Sequence, residues 1–262
     1  MGQIDIHTPI GQLAAADPGR TRLFEQLGLD YCCAGKRSLA EACRAAGIDV
    51  ADVLGQLETM PEGDGEDPAA LGLSALADHI EERHHVYLRE ALPRLGQMID
   101  KVAHVHGDTY PWLADLKQVF CGLRAELEMH MLKEERILFP LVRELETAAE
   151  LPEFHCGSVA HPIAAMEHEH DSAGRALRCL RRISGDFALP PGACHTFRGL
   201  MVGLAELEDD MHQHIHKENN ILFARAGEVE QRLRTTPGPL DRAAAEPLRS
   251  QRPRAPQRKA RP

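Results

Sequence analysis

Apolar residues recur at helical spacing from about residue 71 to residue 233, and the pattern breaks at three places. Gly107-Asp108-Thr109-Tyr110-Pro111 reads as a turn, and so does the stretch from Ser184 to Gly192 with its Pro190-Pro191 pair. The run from Thr147 to about Val159, holding Pro152 and Gly157, reads as a longer connection. Four helices are predicted between the breaks: about Leu73 to Val105, with Pro93 as a place to bend, then about Trp112 to Leu145, Pro162 to Ile183 and Ala193 to Leu233. Long helices joined in this way bury their apolar faces as an up-down bundle.

The flanking regions differ in composition. Residues 1–60 form a small module, and residues 61–70, opening Pro61-Glu62-Gly63-Asp64-Gly65, read as an acidic flexible linker. Residues 234–262 read as a disordered tail: from Thr235 onward it carries six Arg and one Lys against two acids. The expected fold class is therefore all-α, with a four-helix bundle over residues 71–233 behind a small helical module.

Composition narrows the function. Hydrophobic residues make up 43% of the 262, enough for a core, but aromatics only 4%, so the core is aliphatic and favours helices. A net charge of −10 and a pI near 5.8 argue against a nucleic-acid-binding body. No run of about 18 apolar residues predicts a membrane span. Met1 to Pro9 has neither a basic start nor an apolar stretch, so no signal peptide is predicted and a cytoplasmic protein is expected. Seven scattered cysteines do not make a secreted disulfide framework, while fifteen histidines point towards metal.

The chemistry lies in a repeat. His130-Met-Leu-Lys-Glu134-Glu-Arg-Ile-Leu-Phe139 and His214-Ile-His-Lys-Glu218-Asn-Asn-Ile-Leu-Phe223 share the pattern H-x-x-K-E-x-x-I-L-F. A His and a Glu four residues apart share one helix face, roughly 6 Å apart along the axis. Ile137-Leu138 and Ile221-Leu222 extend the same faces as apolar, so each pair is expected to point inward. A carboxylate facing a core is costly unless compensated, and a cation compensates it.

Antiparallel geometry selects the partners. The first turn centres near residue 108, about 22 residues before His130, so the matching height on the preceding helix is near residue 86; His85 is there, beside His84. Transferring the spacing of 45 from His85 to His130 back from His214 reaches residue 169, next to His170 and its neighbours Glu169 and His168. The two halves thus read as copies about a pseudo-two-fold axis. His106 lies 21 residues from His85 and 24 from His130, separations of about 30–36 Å along a helix, so it belongs to the far turn. His104, His155, His161, His195, His212 and His216 lack matching partners and read as exposed. Four His and two Glu give each of two metals two imidazoles, with both carboxylates free to bridge. Imidazole and carboxylate without thiolate suit iron, with manganese and zinc as alternatives, and open positions would admit a small ligand.

These residues resemble those of hemerythrin-like domains. With Asp30-Tyr31-Cys32-Cys33-Ala34-Gly35-Lys36 in front, the chain is similar over about residues 5–230 to the di-iron proteins that repair iron centres, the YtfE/ScdA type. The motifs that carry this are Tyr31-Cys32-Cys33-x-Gly35-Lys36, Lys133-Glu134-Glu135-x-Ile137-Leu138-Phe139-Pro140, Glu169-His170-Asp171-x-Ala173-Gly174 and Glu218-Asn219-Asn220-x-Leu222-Phe223. The resemblance implies a hemerythrin-like bundle whose His85, His130, Glu134, His170, His214 and Glu218 hold two iron ions with an oxo or hydroxo bridge. It further implies a role in restoring iron–sulfur clusters damaged by nitric oxide or oxidants. Damaged iron–sulfur proteins would be the partners, nitric oxide or oxygen the small ligands, and a homodimer the candidate assembly. Any turnover would be that of a non-haem di-iron oxidoreductase acting on nitric oxide. Ala34 stands where the family has Gly, and Gly174 stands where oxygen carriers have the second His of a His-x-x-x-His pair.

Cys32 and Cys33 are read as acting in redox or iron transfer with the bundle, against the alternative of ordinary buried cysteines. Adjacent cysteines do not readily chelate one metal, and a bridge between them is strained. Lys36 and Arg37 are expected to lower a thiol pKa, and Ser38 to cap a helix beginning at Leu39. The competing functions are a hemerythrin-like sensor or store for oxygen, nitric oxide or iron without turnover, and a metal-free interaction bundle.

Overall fold

A computed structural model describes residues 4–60 and 67–235. Most of the expected linker (61–66) and nearly all of the expected disordered tail (236–262) lie outside the described residues. The N-terminal module holds α1 (Ile10–Ala16), α2 (Gly19–Gln26), α3 (Leu39–Ala46) and α4 (Val50–Thr59). Helix α3 starts where Ser38 predicts: the Ser38 side chain accepts from the Glu41 backbone N–H, and the Glu41 carboxylate accepts from the Ser38 N–H. Its end is set by Gly47 at φ 72°, a left-handed turn that glycine enters without steric cost. Asp49 caps α4 through the Ala51 N–H.

Each predicted long helix forms, and three of the four carry an interruption that the period did not announce. The first runs α5 (Leu73–Ile80), a π-helical turn (Glu81–His85) and α6 (Val86–His106), continuing through Pro93. The second runs α7 (Trp112–Lys133), a π turn (Glu134–Leu138) and α8 (Phe139–Thr147). The third is uninterrupted, α9 (Ala160–Ile183), with Pro162 in the first turn where its missing N–H costs nothing. The fourth runs α10 (His195–His216), a π turn (Lys217–Leu222) and α11 (Phe223–Thr235). Helix α6 packs on both α7 and α10, and α7 packs on α9. Among the described residues no helix is long and apolar enough to cross a membrane.

Two apolar clusters stack along the bundle. One joins Leu88, Leu92, Leu127, Leu177 and Leu207 to the module's Phe24, Tyr31 and Leu39, so the module shares the bundle's core. The other holds Leu76, Ile80, Phe139, Val142, Met166 and Leu222 at the opposite end. On every long helix the selected His or Glu falls where one cluster gives way to the other. Each large aliphatic side chain so buried stabilises by about 1.5–3 kcal/mol. Those apolar layers offset a polar layer whose charges cost several kcal/mol each when uncompensated.

Two local expectations are corrected. Ile137 is 48% exposed, whereas its repeat counterpart Ile221 is 3% exposed. The difference has a cause: α1 of the module packs on the π turn carrying Ile221 and covers it. His216, expected at the surface, is buried edge-on against the Tyr31 ring at 5.2 Å, where burial holds its pKa down at about 4. His104, His155, His161 and His195 are exposed and His212 is half-buried. His106 sits at the far turn, as its spacing requires, and its Nε2 lies 3.4 Å from the exposed Cys194 Sγ. That hydrogen bond and the N-terminal backbone amides of α10 lower the Cys194 pKa to about 7.

Candidate metal centre

The structure brings the six selected residues together in two overlapping groups. His85, Glu134, His214 and Glu218 present donor atoms within 4.8 Å of one another, and so do His130, Glu134, His170 and Glu218. All six side chains are at most 3% exposed. The histidine pairs therefore cross between the two halves of the chain: His85 joins His214, and His130 joins His170.

Each carboxylate divides its oxygens between the groups. Glu134 Oε2 is 3.3 Å from His85 Nε2 and Oε1 is 3.3 Å from His130 Nε2. Glu218 Oε1 is 3.2 Å from His214 Nε2 and Oε2 is 3.0 Å from His170 Nε2. These approaches are not aligned as hydrogen bonds, and all four carboxylate oxygens, with His85 Nε2 and His214 Nε2, are buried without a hydrogen-bond partner. His130 Nε2 faces His170 Nε2 at 3.0 Å. Donors about 2.1 Å from a shared cation stand about 3.0 Å apart at adjacent octahedral positions and about 3.4 Å apart at tetrahedral ones. The observed 3.0–3.3 Å separations span that interval. Orphaned buried lone pairs converging at such edges fit a pair of cations.

The electrostatics agree. Burial and the Glu218 charge work to raise the Glu134 pKa, but His130 and His85 outweigh them and hold it low. Burial opposes protonation of His130, yet the facing Glu134, aided by Glu169, lifts it to about 10. A divalent cation would compete with those protons for the same lone pairs.

Polar neighbours aim the imidazoles. His85 Nδ1 is 2.7 Å from Glu135 Oε1, His130 Nδ1 is 2.9 Å from Glu169 Oε2, and His170 Nδ1 is 2.8 Å from Asn219 Oδ1. Arg89 and Lys133 in turn hold Glu135 and Glu169. An acceptor on Nδ1 fixes the tautomer that leaves Nε2 free to bind metal. His214 Nδ1 has no hydrogen-bond partner, and the ring of His84 stacks on His214, centroids 5.3 Å apart and 5° from parallel. Sequence reasoning gave Glu135, Glu169 and Asn219 no role, although each adjoins a selected residue: each supports a histidine on another helix.

The cysteine segment lies against this centre. Asn219 Nδ2 donates to the Cys32 carbonyl at 3.2 Å, so one side chain joins that segment to His170. Asn220 Nδ2 donates to the Tyr31 carbonyl at 3.0 Å. Cys33 Sγ is 3.7 Å from the His170 carbonyl, and a Cβ placed on Gly174 would stand 3.0 Å from it. The thiol thus fills room that a histidine at position 174 would take. The expected lowering of a thiol pKa is corrected. Lys36 pairs instead with Glu167 at 2.8 Å, and the hydrogen bond with Cys33, together with burial, raises the Cys32 pKa well above its ordinary value.

Comparison with known proteins decides the family. Residues 76–226 match the hemerythrin HHE cation binding domain, and residues 6–60 match ScdA_N, a domain of unknown function. The chain is 38% identical over 219 residues to the iron-sulfur cluster repair protein YtfE of Pectobacterium carotovorum subsp. carotovorum, covering 83% of this chain and 95% of that protein. The corresponding protein of Edwardsiella ictaluri is 39% identical over 222 residues, covering 83% and 96%. That of Salmonella newport is 37% identical over 220 residues, with the same coverage. The chain belongs to the YtfE family of hemerythrin-domain proteins. Membership assigns a cation-binding function to the bundle, and the two His/Glu groups fit a two-metal centre of this family.

Proposed function

We propose that this protein repairs iron–sulfur clusters damaged by nitric oxide or oxidants, and does so by donating iron. The observation that carries the reading is the pair of four-donor groups sharing Glu134 and Glu218, directly beneath a two-cysteine segment. In it, His85 and His214 hold one ion, His130 and His170 hold the other, and each glutamate gives one oxygen to each. The ions are iron, joined by an oxo or hydroxo bridge, and the partners are damaged iron–sulfur proteins. A bound ferrous pair would supply transferable iron or, on going to the ferric state, the two electrons that with two protons turn two molecules of nitric oxide into nitrous oxide and water. Apolar layers at both ends keep bulk water from the centre, and the Nδ1 acceptors hold the imidazoles in place. The module's Cys32 and Cys33 serve transfer between the centre and the outside.

The test is restoration. Iron-loaded protein is incubated anaerobically with a nitric-oxide-inactivated [4Fe–4S] dehydratase, and regained activity is followed. Recovery with the wild-type chain and none with Glu134→Leu/Glu218→Leu is expected; no recovery with the wild type overturns the reading. Consumption of nitric oxide under reducing conditions separates repair with turnover from mere storage.

The supports of the histidines are unequal, which gives a second expectation. Glu169→Gln should weaken the ion at His130 and His170 by about 10–100-fold while sparing the other. Iron content after graded chelation would then fall in two steps. A single unchanged step would show that Glu169 does not matter to the centre.

A further inference from the structure

Beside the His/Glu centre, Asp30, Cys32 and Cys33 bring three donor atoms within 4.8 Å of one another. Both thiols are free. The two sulfurs are 3.7 Å apart, and Cys32 Sγ is 3.5 Å from Asp30 Oδ1. A tetrahedral ion about 2.3 Å from sulfur and about 2.0–2.2 Å from oxygen requires a sulfur–sulfur edge of about 3.75 Å and a sulfur–oxygen edge of about 3.5–3.7 Å. Both measured edges agree with those values. The difficulty expected for neighbouring cysteines is therefore absent here.

The backbone explains how adjacent residues converge. Asp30 Oδ1 accepts the N–H groups of Cys33 at 2.9 Å and Ala34 at 3.1 Å, curling the chain around the carboxylate. Asp30 Oδ2 pairs with Arg178 of α9 at 3.3 Å. On the bundle side, the bare Gly174 gives Cys33 its place against α9. A cavity of about 410 Å³ opens beside the sulfurs, lined among others by Lys36, Glu167, Asp171 and Asn219.

We propose that Asp30, Cys32 and Cys33 form a third cation site, three-coordinate from the protein and open at the fourth position, for a thiophilic divalent ion such as ferrous iron. Two thiolates and a carboxylate more than balance a dication, with Arg178 beside the carboxylate to offset the excess, and they are softer than the imidazoles and carboxylates beneath. Movement of ferrous iron between the two sites is ligand exchange: two thiol protons leave as the ion arrives, and no oxidation state changes. The open position is where an accepting cluster's own ligand would enter. This transit role rests on the cluster-repair reading, whereas the site rests only on the three donors.

Cobalt(II) alone is the probe, added anaerobically to the reduced, iron-loaded full chain. The wild type is expected to take up one further equivalent with a sulfur-to-cobalt charge-transfer band and tetrahedral d–d absorption. Cys33→Ser and Cys32→Ser lose the band, while Cys194→Ser, at the far end of the bundle, keeps it. Asp30→Asn can keep both backbone contacts but turns the charged ligand into a neutral amide and removes the Arg178 ion pair; weakening a direct ligand should cost the titration at least as much as losing an outer partner does, about 10–100-fold. Circular dichroism and resident iron report folding in each variant. No further equivalent in the wild type, or a sulfur band that survives in Cys32→Ser/Cys33→Ser, overturns the proposal. A third equivalent from a protein that fails to restore clusters would overturn the repair reading and leave this site standing.

Discussion

The double variant Glu134→Leu/Glu218→Leu should keep its helices, bind no metal pair and, without metal, melt no lower than the wild type. The argument follows from four carboxylate oxygens buried with no aligned donor. In the metal-free chain these charges face imidazoles at 3.0–3.3 Å with no aligned hydrogen bond, so attraction to the imidazoles offsets their desolvation with no hydrogen bond to add to it. Replacing a buried ion pair by apolar side chains of similar volume is commonly neutral or stabilising, by about 1–4 kcal/mol, and the histidines left behind here, unlike a guanidinium, can stay buried as neutral imidazoles. Apolar layers already flank the site, so leucines meet compatible neighbours. Metal reverses the order. A ligand at a thousand times its dissociation constant adds about 4 kcal/mol to the folded state, and only the wild type can receive it. Calorimetry with and without ferrous iron, beside iron quantification, checks both halves. A metal-free variant melting well below the metal-free wild type would refute the claim that these carboxylates are retained for the cation.

Gly35→Ala should detach the cysteine segment and leave the bundle intact. A Cβ there would stand 2.5 Å from the Tyr31 carbonyl oxygen and 2.5 Å from Asn220 Oδ1, which are not free to move apart, since Asn220 donates to that carbonyl. Overpacking of this kind costs about 1–3 kcal/mol, and here it falls on the junction of module and bundle. The Asn219 contact with Cys32 should loosen with it. Alkylation of Cys33, measured by mass spectrometry, should speed up several-fold while iron content holds. Cluster restoration should fall. Unchanged alkylation would mean that Asn220 and Gly35 do not set the position of the thiols.

Much of this was legible in the chain. The period located four helices because aliphatic positions on a long helix have no other way to be buried; equal distance from a turn selected His85, and the same spacing carried back from His214 selected His170. The supporting contacts were harder to read. Glu135, Glu169 and Asn219 each act across to another helix, and spacing along one helix carries no information about its neighbour. Symmetry reasoning treated Ile137 and Ile221 alike, but the module covers only one half of the bundle. Lys36 adjoins the cysteines in sequence, yet its long side chain reaches Glu167 instead. The π turns escaped because the 3.6-residue period resumes on either side of them.

Those π turns have a consequence for how such chains can vary. A π segment is an α-helix with one residue too many, and each residue of an α-helix turns the chain by about 100°. His85, Glu134 and Glu218 all stand within such segments. Deleting one residue there, Arg136 for instance, would restore regular hydrogen bonding and local helicity. It would also rotate everything beyond, so that Phe139, Val142 and Leu145 would swing out of the core. Length in these three short stretches is therefore more tightly constrained than the identity of most residues within them.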